Sequence, residues 1–209
     1  MNPKTKVKRV PKRGHYDKET IYRILDQEFF CQVGFVHEGY PVVIPTGFGR
    51  HEDWLYVHGS TASRMIKDMS QGIDVCITVT KVTGIVLAKS AFHHSMNYES
   101  AVVFGKGELI TDEVEKDFAL KVISDHIIKG RWEEAREPNA KELKGTAVIK
   151  VPISEASAKI RTGGPVDDKA DEPLPIWAGV VQIDQVYSIP DEYLSQKEEL
   201  PASVKPFMT

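Results

Sequence analysis

The sequence predicts a mainly β protein of the α+β class, built as an antiparallel barrel with helices at its rim. Between residues 29 and 80, short apolar segments alternate with turn residues at intervals of about ten, which is typical of barrels and sandwiches. Helical periodicity is confined to a few isolated segments, so the predicted helices interrupt the series of strands instead of alternating with them. About seven strands in this arrangement favour an antiparallel barrel over a doubly wound parallel sheet.

Each predicted element follows from a local pattern. Asp17 is a candidate N-cap for the first helix, and Asp112 with Glu115 three positions later begins the longest one. The predicted helices cover residues 18–27, 60–72 and 113–130. The predicted strands cover residues 30–36, 40–48, 54–58, 75–80, 85–88, 100–110, 146–160 and 180–186.

The length and composition indicate one domain with terminal extensions. The chain has 209 residues, of which 41% are hydrophobic, and this is enough to bury one substantial core. We predict a flexible basic arm over residues 1–14, a barrel domain over residues 15–190 and a loosely attached C-terminal extension over residues 191–209. A basic arm can bind nucleic acid, but no aromatic residue is interleaved with its lysines and arginines to stack on bases. No nucleic-acid partner is therefore expected.

The net charge and the positions of the cysteines indicate which cell compartment the protein occupies. The formal net charge of −3 gives no general attraction to nucleic acid or to an anionic membrane. Cys31 and Cys76 lie far apart in apolar segments, without C-x-x-C spacing and without a secretory signal before them. No apolar run approaches the roughly 20 residues that a membrane-spanning helix needs. These features predict a cytoplasmic protein with reduced cysteines and no membrane contact.

The most informative segment for function runs from Leu55 to Lys67. A strand ends at Gly59, several hydroxyl residues follow, and a helix begins with Arg64 near its start. Phosphate sites are commonly built in this way, because helix N–H groups and hydroxyls supply directional hydrogen bonds and arginine supplies a bidentate charge. The alternative is that Ser60 or Thr61 only caps the helix and that Arg64 is solvated. Caps are much commoner than phosphate sites, so the local pattern alone favours this alternative.

A second polar segment, residues 89–105, concentrates hydroxyl groups, imidazoles and an amide just before a strand. Loops of this composition on a rigid barrel often bind ligands. His93 and His94 are adjacent and would point to opposite sides of an extended segment, and no third ligand lies at zinc-like spacing. No metal site is therefore predicted. A polar turn that is hydrogen-bonded to itself is the alternative.

Other catalytic motifs are missing from the sequence. There is no Walker loop, no H-E-x-x-H and no G-x-S-x-G, and the G-x-G fragments at residues 47–49 and 105–107 lack the third glycine of a dinucleotide fingerprint. His51 and His58 could act as general acids or bases, although a lone histidine near a strand end is usually only a satisfied polar group.

Four segments, taken in order, resemble the pyridoxamine 5′-phosphate oxidase-like family of FMN-binding split β-barrels. They are residues 40–45 (YPVVIP), 55–64 (LYVHGSTASR), 94–105 (HSMNYESAVVFG) and 177–180 (WAGV). More narrowly, they resemble the flavin-nucleotide-binding branch, which includes nitroimidazole-resistance reductases. The resemblance spans residues 17–189, but the sequence after Trp177 lacks the arginine and histidine pattern with which true pyridoxamine phosphate oxidases bind the substrate phosphate.

The resemblance implies a homodimer of six-stranded split barrels that holds a flavin at the interface between the subunits. The implied flavin is FMN, and FAD is the other candidate. Ser63 and Arg64 would bind the phosphate, and Trp177 would approach the flavin from the partner chain. His58 and His94 are candidate catalytic groups. The complete set of implied cofactor-binding residues is Pro45, Thr46, Tyr56, Val57, His58, Gly59, Ser60, Ser63, Arg64, Ser95, Asn97, Tyr98, Ser100 and Trp177.

The implied activity is that of a flavin-dependent oxidoreductase. The flavin would transfer a hydride or electrons between a small-molecule substrate and an electron donor such as NAD(P)H, while the protein supplies binding and orientation. The alternative is a non-catalytic flavin or haem binding module, which would not oxidise NAD(P)H.

Overall fold

The computed structural model describes residues 2–194 and 199–208. In this part of the chain ten strands form one antiparallel sheet, which confirms the mainly β fold. The strands are β1 (Gly14–His15), β2 (Phe30–His37), β3 (Tyr40–His51), β4 (Trp54–Ser60), β5 (Asp74–Leu87), β6 (Ser95–Lys106), β7 (Glu108–Leu109), β8 (Thr146–Pro152), β9 (Glu155–Arg161) and β10 (Gly179–Gln182). The α-helices are α1 (Lys18–Asp26), α2 (Arg64–Met69), α3 (Glu113–Ile127), α4 (Ala140–Gly145) and α5 (Asp191–Leu194).

Strand β3 changes its partner along its length. Its first part pairs with β2 as far as Gly47, and its last part pairs with β4 from Phe48 onwards, which lies opposite Val57. Neighbouring strands follow the order β1-β9-β6-β5-β2-β3-β4-β8-β7, and β10 pairs with β5. Because β3 leaves β4 at this point, residues 58–60 of β4 pair only with β8 in the described chain. The barrel is split at this break.

The barrel interior holds the main hydrophobic core, to which α1 and α2 contribute buried side chains. Strands β6 and β8 approach each other at Gly105, where a Cβ atom would lie 2.7 Å from Val151 Cγ1 and 3.4 Å from the Pro152 carbonyl oxygen. Only glycine allows the two strands to come this close. A second, smaller cluster lies between α3 and the outer face of β4 and β8 and holds this helix against the barrel; its buried members are Tyr56, Ile110, Ala119, Ile123 and Val148.

The two predicted helix caps are confirmed. The Asp17 carboxylate accepts a hydrogen bond from the Thr20 N–H at 2.8 Å, and the Asp112 carboxylate accepts one from the Glu115 N–H at 2.8 Å. Each bond satisfies one of the N–H groups that the first turn of a helix leaves without an intrahelical partner.

Several predictions of local structure were wrong. The two strands predicted at residues 75–80 and 85–88 form the single strand β5, in which the register shifts between Val82 and Gly84. The N-cap of α2 is Ser63, not Ser60 or Thr61. Helix α4 was not predicted, and the described residues contain ten strands and five α-helices instead of about seven and three.

The two terminal segments contact the barrel domain. The arm predicted over residues 1–14 includes the buried Thr5 and the first residue of β1, Gly14, which lies opposite Lys159 of β9. The predicted boundary after residue 14 therefore falls within a strand. In the C-terminal segment, the Ser203 N–H donates to Glu134 Oε1 at 3.1 Å. Residues 1, 195–198 and 209 of the predicted extensions lie outside the described residues.

None of the helices in residues 2–194 and 199–208 combines the length and the apolar composition needed to cross a lipid bilayer.

Candidate functional site

Alternation along β4 divides the predicted flavin-binding residues between its two faces. Val57 is buried in the main core, and Tyr56 is buried under α3. The protein encloses both side chains, so only main-chain atoms at these two positions are left to contact a ligand. His58 is half-buried and shares its face of the strand with Tyr56.

The end of β4 presents an open edge at the split of the barrel. If the pairing of β3 with β4 continued, Pro45 and Thr46 would lie opposite Ser60 and Gly59, but they pair with β2 instead. The main chain of residues 58–60 therefore has no strand beside it on this side in the described structure. Five of the predicted cofactor-binding residues flank this gap: Pro45, Thr46, His58, Gly59 and Ser60.

The turn after β4 presents the predicted phosphate-binding groups. The side chain of Ser63 makes no capping hydrogen bond, although Ser63 is the N-cap of α2. Ser60 Oγ accepts a hydrogen bond from the Ala62 N–H at 3.2 Å and so stabilises the turn itself. Arg64 is exposed, and its Nη1 donates to the Tyr40 hydroxyl at 3.5 Å, the long limit of a hydrogen bond. The Ser63 hydroxyl and the Arg64 guanidinium are thus both available to an anion.

A cavity of about 390 Å³, which we call the His58 cavity, lies between β4, α3 and the chain from residue 132 to residue 146. Its volume lies within the usual range for small-molecule sites, roughly 300–1,000 Å³. Six of its residues are apolar, and its charged members are Arg136 and Glu142. The lining residues are His58, Leu120, Ile123, Ser124, Ile127, Trp132, Arg136, Pro138, Glu142, Leu143 and Thr146.

No described residue forms a hydrogen bond with the imidazole of His58. Its Nδ1 atom is buried and has no partner in this part of the chain. Burial also lowers the pKa of His58, which favours the neutral ring that can coordinate a metal or accept a proton. A buried polar atom without a partner is unfavourable for the protein alone, so this position fits a ligand that supplies the missing interaction.

Two of the predicted binding residues on β6, Asn97 and Ser100, form hydrogen bonds within the chain. Asn97 is buried, and its Oδ1 accepts a hydrogen bond from the Arg161 guanidinium while its Nδ2 donates to the Gly163 carbonyl at 3.2 Å. Ser100 Oγ accepts a hydrogen bond from Thr80 Oγ1 at 3.1 Å. The polar groups of Asn97 are therefore already occupied within one chain. The remaining β6 candidates, Ser95 and Tyr98, are exposed and half-buried respectively.

The structure does not bring His94 or Trp177 to the His58 cavity of the same chain. The Nε2 atom of His94 lies 3.2 Å from the Ala88 carbonyl oxygen. The Trp177 side chain is 65% exposed and packs beside Gly179 at the start of β10. The catalytic roles of His58 and His94 stay predictions.

Sequence reasoning missed most of the His58 cavity. The segment from Trp132 to Leu143 was not assigned to any element, although Asn139 and Glu142 have the spacing of a capping box. In the structure the Asn139 side chain accepts from the Glu142 N–H at 3.0 Å, and Glu142 Oε2 accepts from the Asn139 N–H at 2.8 Å. This spacing could have identified α4.

Residues 17–160 of the chain match the family model for pyridoxamine 5′-phosphate oxidase. The chain belongs to this family. The family resemblance and the split-barrel fold predicted from the sequence are thereby confirmed. No curated protein sequence gives a significant match.

Three solved structures show the relationship in more detail. The flavocytochrome Anf3 from Azotobacter vinelandii is 39% identical, with a TM-score of 0.89 over 99% of this chain and 97% of that chain. An FAD and haem binding protein from Mycobacterium smegmatis is 33% identical, with a TM-score of 0.88 over 94% of this chain and 97% of that one. A Bacteroides thetaiotaomicron protein described as a 5-nitroimidazole antibiotic resistance protein is 32% identical, with a TM-score of 0.60 over 70% and 86%.

Proposed function

We propose that this protein is an oxidoreductase that binds a flavin nucleotide and a haem. The observation that carries the proposal is the unpaired imidazole of His58, which lies in an apolar cavity next to the open edge of β4. Similarity over nearly the whole chain to two solved structures supports the proposal. One of them is described as a flavocytochrome, and the other as an FAD and haem binding protein. Oxidoreductase activity follows from the chemistry of these groups, which transfer hydrides and electrons.

The flavin would lie along residues 58–60 of β4, with its phosphate at the turn that follows. Ser63 and Arg64 have no strong protein partner among the described residues and are close together in the chain. Arginine is well suited to this task because its planar guanidinium binds phosphate oxygens in a bidentate manner. FMN and FAD both carry a phosphate on the ribityl chain, so the same two residues would serve either cofactor. The sequence resemblance favours FMN.

The haem would occupy the His58 cavity, where His58 would be its iron ligand. The residues fit such a group, because haem needs an apolar surrounding and a neutral imidazole without a competing partner. When bound, haem supplies one-electron and oxygen chemistry. The contributions of this chain are the imidazole and the apolar side chains of α3 and of residues 132–143 that line the cavity.

We further propose that the protein is a cytoplasmic homodimer whose two chains share the flavin site. Trp177 is 65% exposed just before β10, on which Val181 is 47% exposed, and these side chains offer apolar surface to a second copy. The substrate would be a small molecule or an electron donor such as NAD(P)H. FMN remains the first choice for the flavin, and no nucleic-acid or membrane partner is proposed.

Cofactor loading of four single variants tests this function. Arg64→Ala should weaken FMN binding by about 1.5–3 kcal/mol, the usual contribution of a hydrogen bond to a charged group, and should leave riboflavin binding nearly unchanged. Lys67→Ala is the control, because it removes a positive charge from the same short helix. His58→Gln should abolish the Soret band and retain the flavin, whereas His94→Gln should retain both.

The measurements are flavin fluorescence titration and visible absorption spectra of protein purified without added cofactors. Equal loss of FMN and riboflavin in Arg64→Ala would remove Arg64 from the phosphate site. A full Soret band in His58→Gln would remove this residue as the haem ligand. Wild-type protein with neither flavin nor haem absorption, even after reconstitution, would refute the proposed function.

A further inference from the structure

Arg136 is the one cation among the described residues that line the His58 cavity, and its side chain is 67% exposed, so it lies at the rim. Among the described lining residues only Arg136 and Glu142 carry formal charges at neutral pH if His58 is neutral, as its burial favours. A ligand with a negative charge can therefore be compensated in this cavity only at Arg136.

Arg136 is held in place by contacts on one side of its guanidinium. Its Nη2 lies 2.8 Å from Glu142 Oε1 and its Nη1 lies 3.1 Å from Glu142 Oε2, so this pair is bidentate. Nη1 also donates to the Glu137 carbonyl oxygen at 2.7 Å. Glu142 in turn is fixed by the N–H of Asn139 at the start of α4. The guanidinium is thus oriented before any ligand arrives.

These contacts leave the other edge of the guanidinium free. Of the five N–H donors of an arginine, the bonds to Glu142 and Glu137 use both on Nη1 and one on Nη2. The N–H of Nε and the second N–H of Nη2 have no partner among the described residues. These two donors are parallel, and their spacing matches the two oxygens of a carboxylate.

We propose that Arg136 binds a carboxylate of the ligand in the His58 cavity through the free Nε and Nη2 edge. The ligand class is an apolar ring system that carries at least one carboxylate. Because this inference rests on the proposed function, a propionate of haem is one source of that group. An aromatic carboxylic acid that enters the cavity as a substrate is the other source.

The test compares ligands with and without the carboxylate in haem-free protein. The first pair is haem and haem dimethyl ester, measured by Soret absorption, and the second pair is 2-naphthoate and 2-naphthalenemethanol, measured by calorimetry. Arg136→Gln should weaken the binding of the carboxylate member of a pair by roughly tenfold to hundredfold, the loss expected for a charged hydrogen bond. Binding of the uncharged member should change by less than about threefold. Arg131→Gln is the matched control, because Arg131 is a nearby arginine that does not line the cavity.

If Arg136→Gln does not fold, Arg136→Lys takes its place in the binding comparison. It keeps the charge and loses the paired donors, so it should weaken carboxylate binding by an intermediate factor. The inference is overturned if wild-type protein binds both members of each pair equally, or if Arg136→Gln weakens both members equally. Retention of the wild-type Soret band with either result would leave the proposed function intact. Binding of 2-naphthoate that depends on Arg136 in a protein that does not bind haem would support the inference and refute the haem assignment.

Discussion

A methyl group at Gly49 should disturb both the fold and the His58 cavity. Gly49 lies on β3 where the strand passes under α3. A Cβ atom there would lie 2.8 Å from the Cα and the N of Ile123 and 2.9 Å from the carbonyl carbon of Val122. These are backbone atoms of a helix, which cannot rotate away as a flexible side chain could. The helix and the strand would have to separate.

The size of the effect follows from the clash. Favourable carbon–carbon contacts lie at roughly 3.5–4.0 Å, so the two elements would have to move apart by about 1 Å. Overpacking of this kind usually costs about 1–3 kcal/mol, and the lower entropy of the unfolded chain offsets about 0.4–1 kcal/mol of it. We expect Gly49→Ala to lower the free energy of unfolding by about 1–2 kcal/mol and the midpoint temperature by roughly 2–8 °C.

The assay is equilibrium unfolding by urea of haem-free protein at one protein concentration, followed by haem titration. Gly145→Ala is the control, because a Cβ atom at Gly145 would meet no atom within 4 Å. The control should be neutral or slightly stabilising. Helix α3 supplies Leu120, Ile123 and Ile127 to the His58 cavity, so Gly49→Ala should also weaken haem binding. A change in unfolding free energy below about 0.5 kcal/mol, within the usual range for harmless surface substitutions, would refute the reasoning.

Two further predictions concern acid stability and assembly. Burial lowers the pKa of His126, so the folded state binds fewer protons than the unfolded state, and stability is lost as the pH falls below the unfolded pKa of about 6.5. The urea midpoint should therefore fall less between about pH 7.5 and about pH 5.5 in His126→Gln than in the wild type; equal decreases would contradict this. Light scattering should report about twice the chain mass of 23.4 kDa, and Val181→Lys should shift the protein towards monomer. A wild-type monomer that binds flavin stoichiometrically would exclude a shared site.

The sequence predicted those parts of the fold that depend on local interactions. The caps at Asp17 and Asp112 need only the next three residues, and both are present. Strand β5 was wrongly divided because Thr83 and Gly84 resemble a turn. In the structure they lie within a long strand, and Gly84 pairs with Gln182 of β10, far along the chain. A pairing between residues so far apart cannot be predicted from the hydrophobic pattern of the residues around Gly84.

The same distinction holds for the candidate site. Ser63 and Arg64 could be proposed as phosphate ligands because the whole turn lies in one short segment. The His58 cavity combines one residue of β4 with a stretch of chain from Leu120 to Thr146 that is distant from it in sequence, so only the fold brings Trp132 and Arg136 to His58. Asn97 illustrates the opposite case: its amide was assigned to a ligand, but Arg161 at the end of β9 and Gly163 in the following loop occupy it.

The pairing of β1 with β9 also has a consequence for synthesis on the ribosome. Gly14 is made before its partner Lys159, which follows 145 positions later in the chain (159 − 14). At about 5–20 residues per second, β1 waits for roughly seven to thirty seconds before it can pair. An unpaired strand is exposed to other nascent chains during this delay, and clustered lysines and arginines discourage such contacts. The basic composition of residues 4–13 thus suits a segment that must stay hydrated until the barrel is nearly finished.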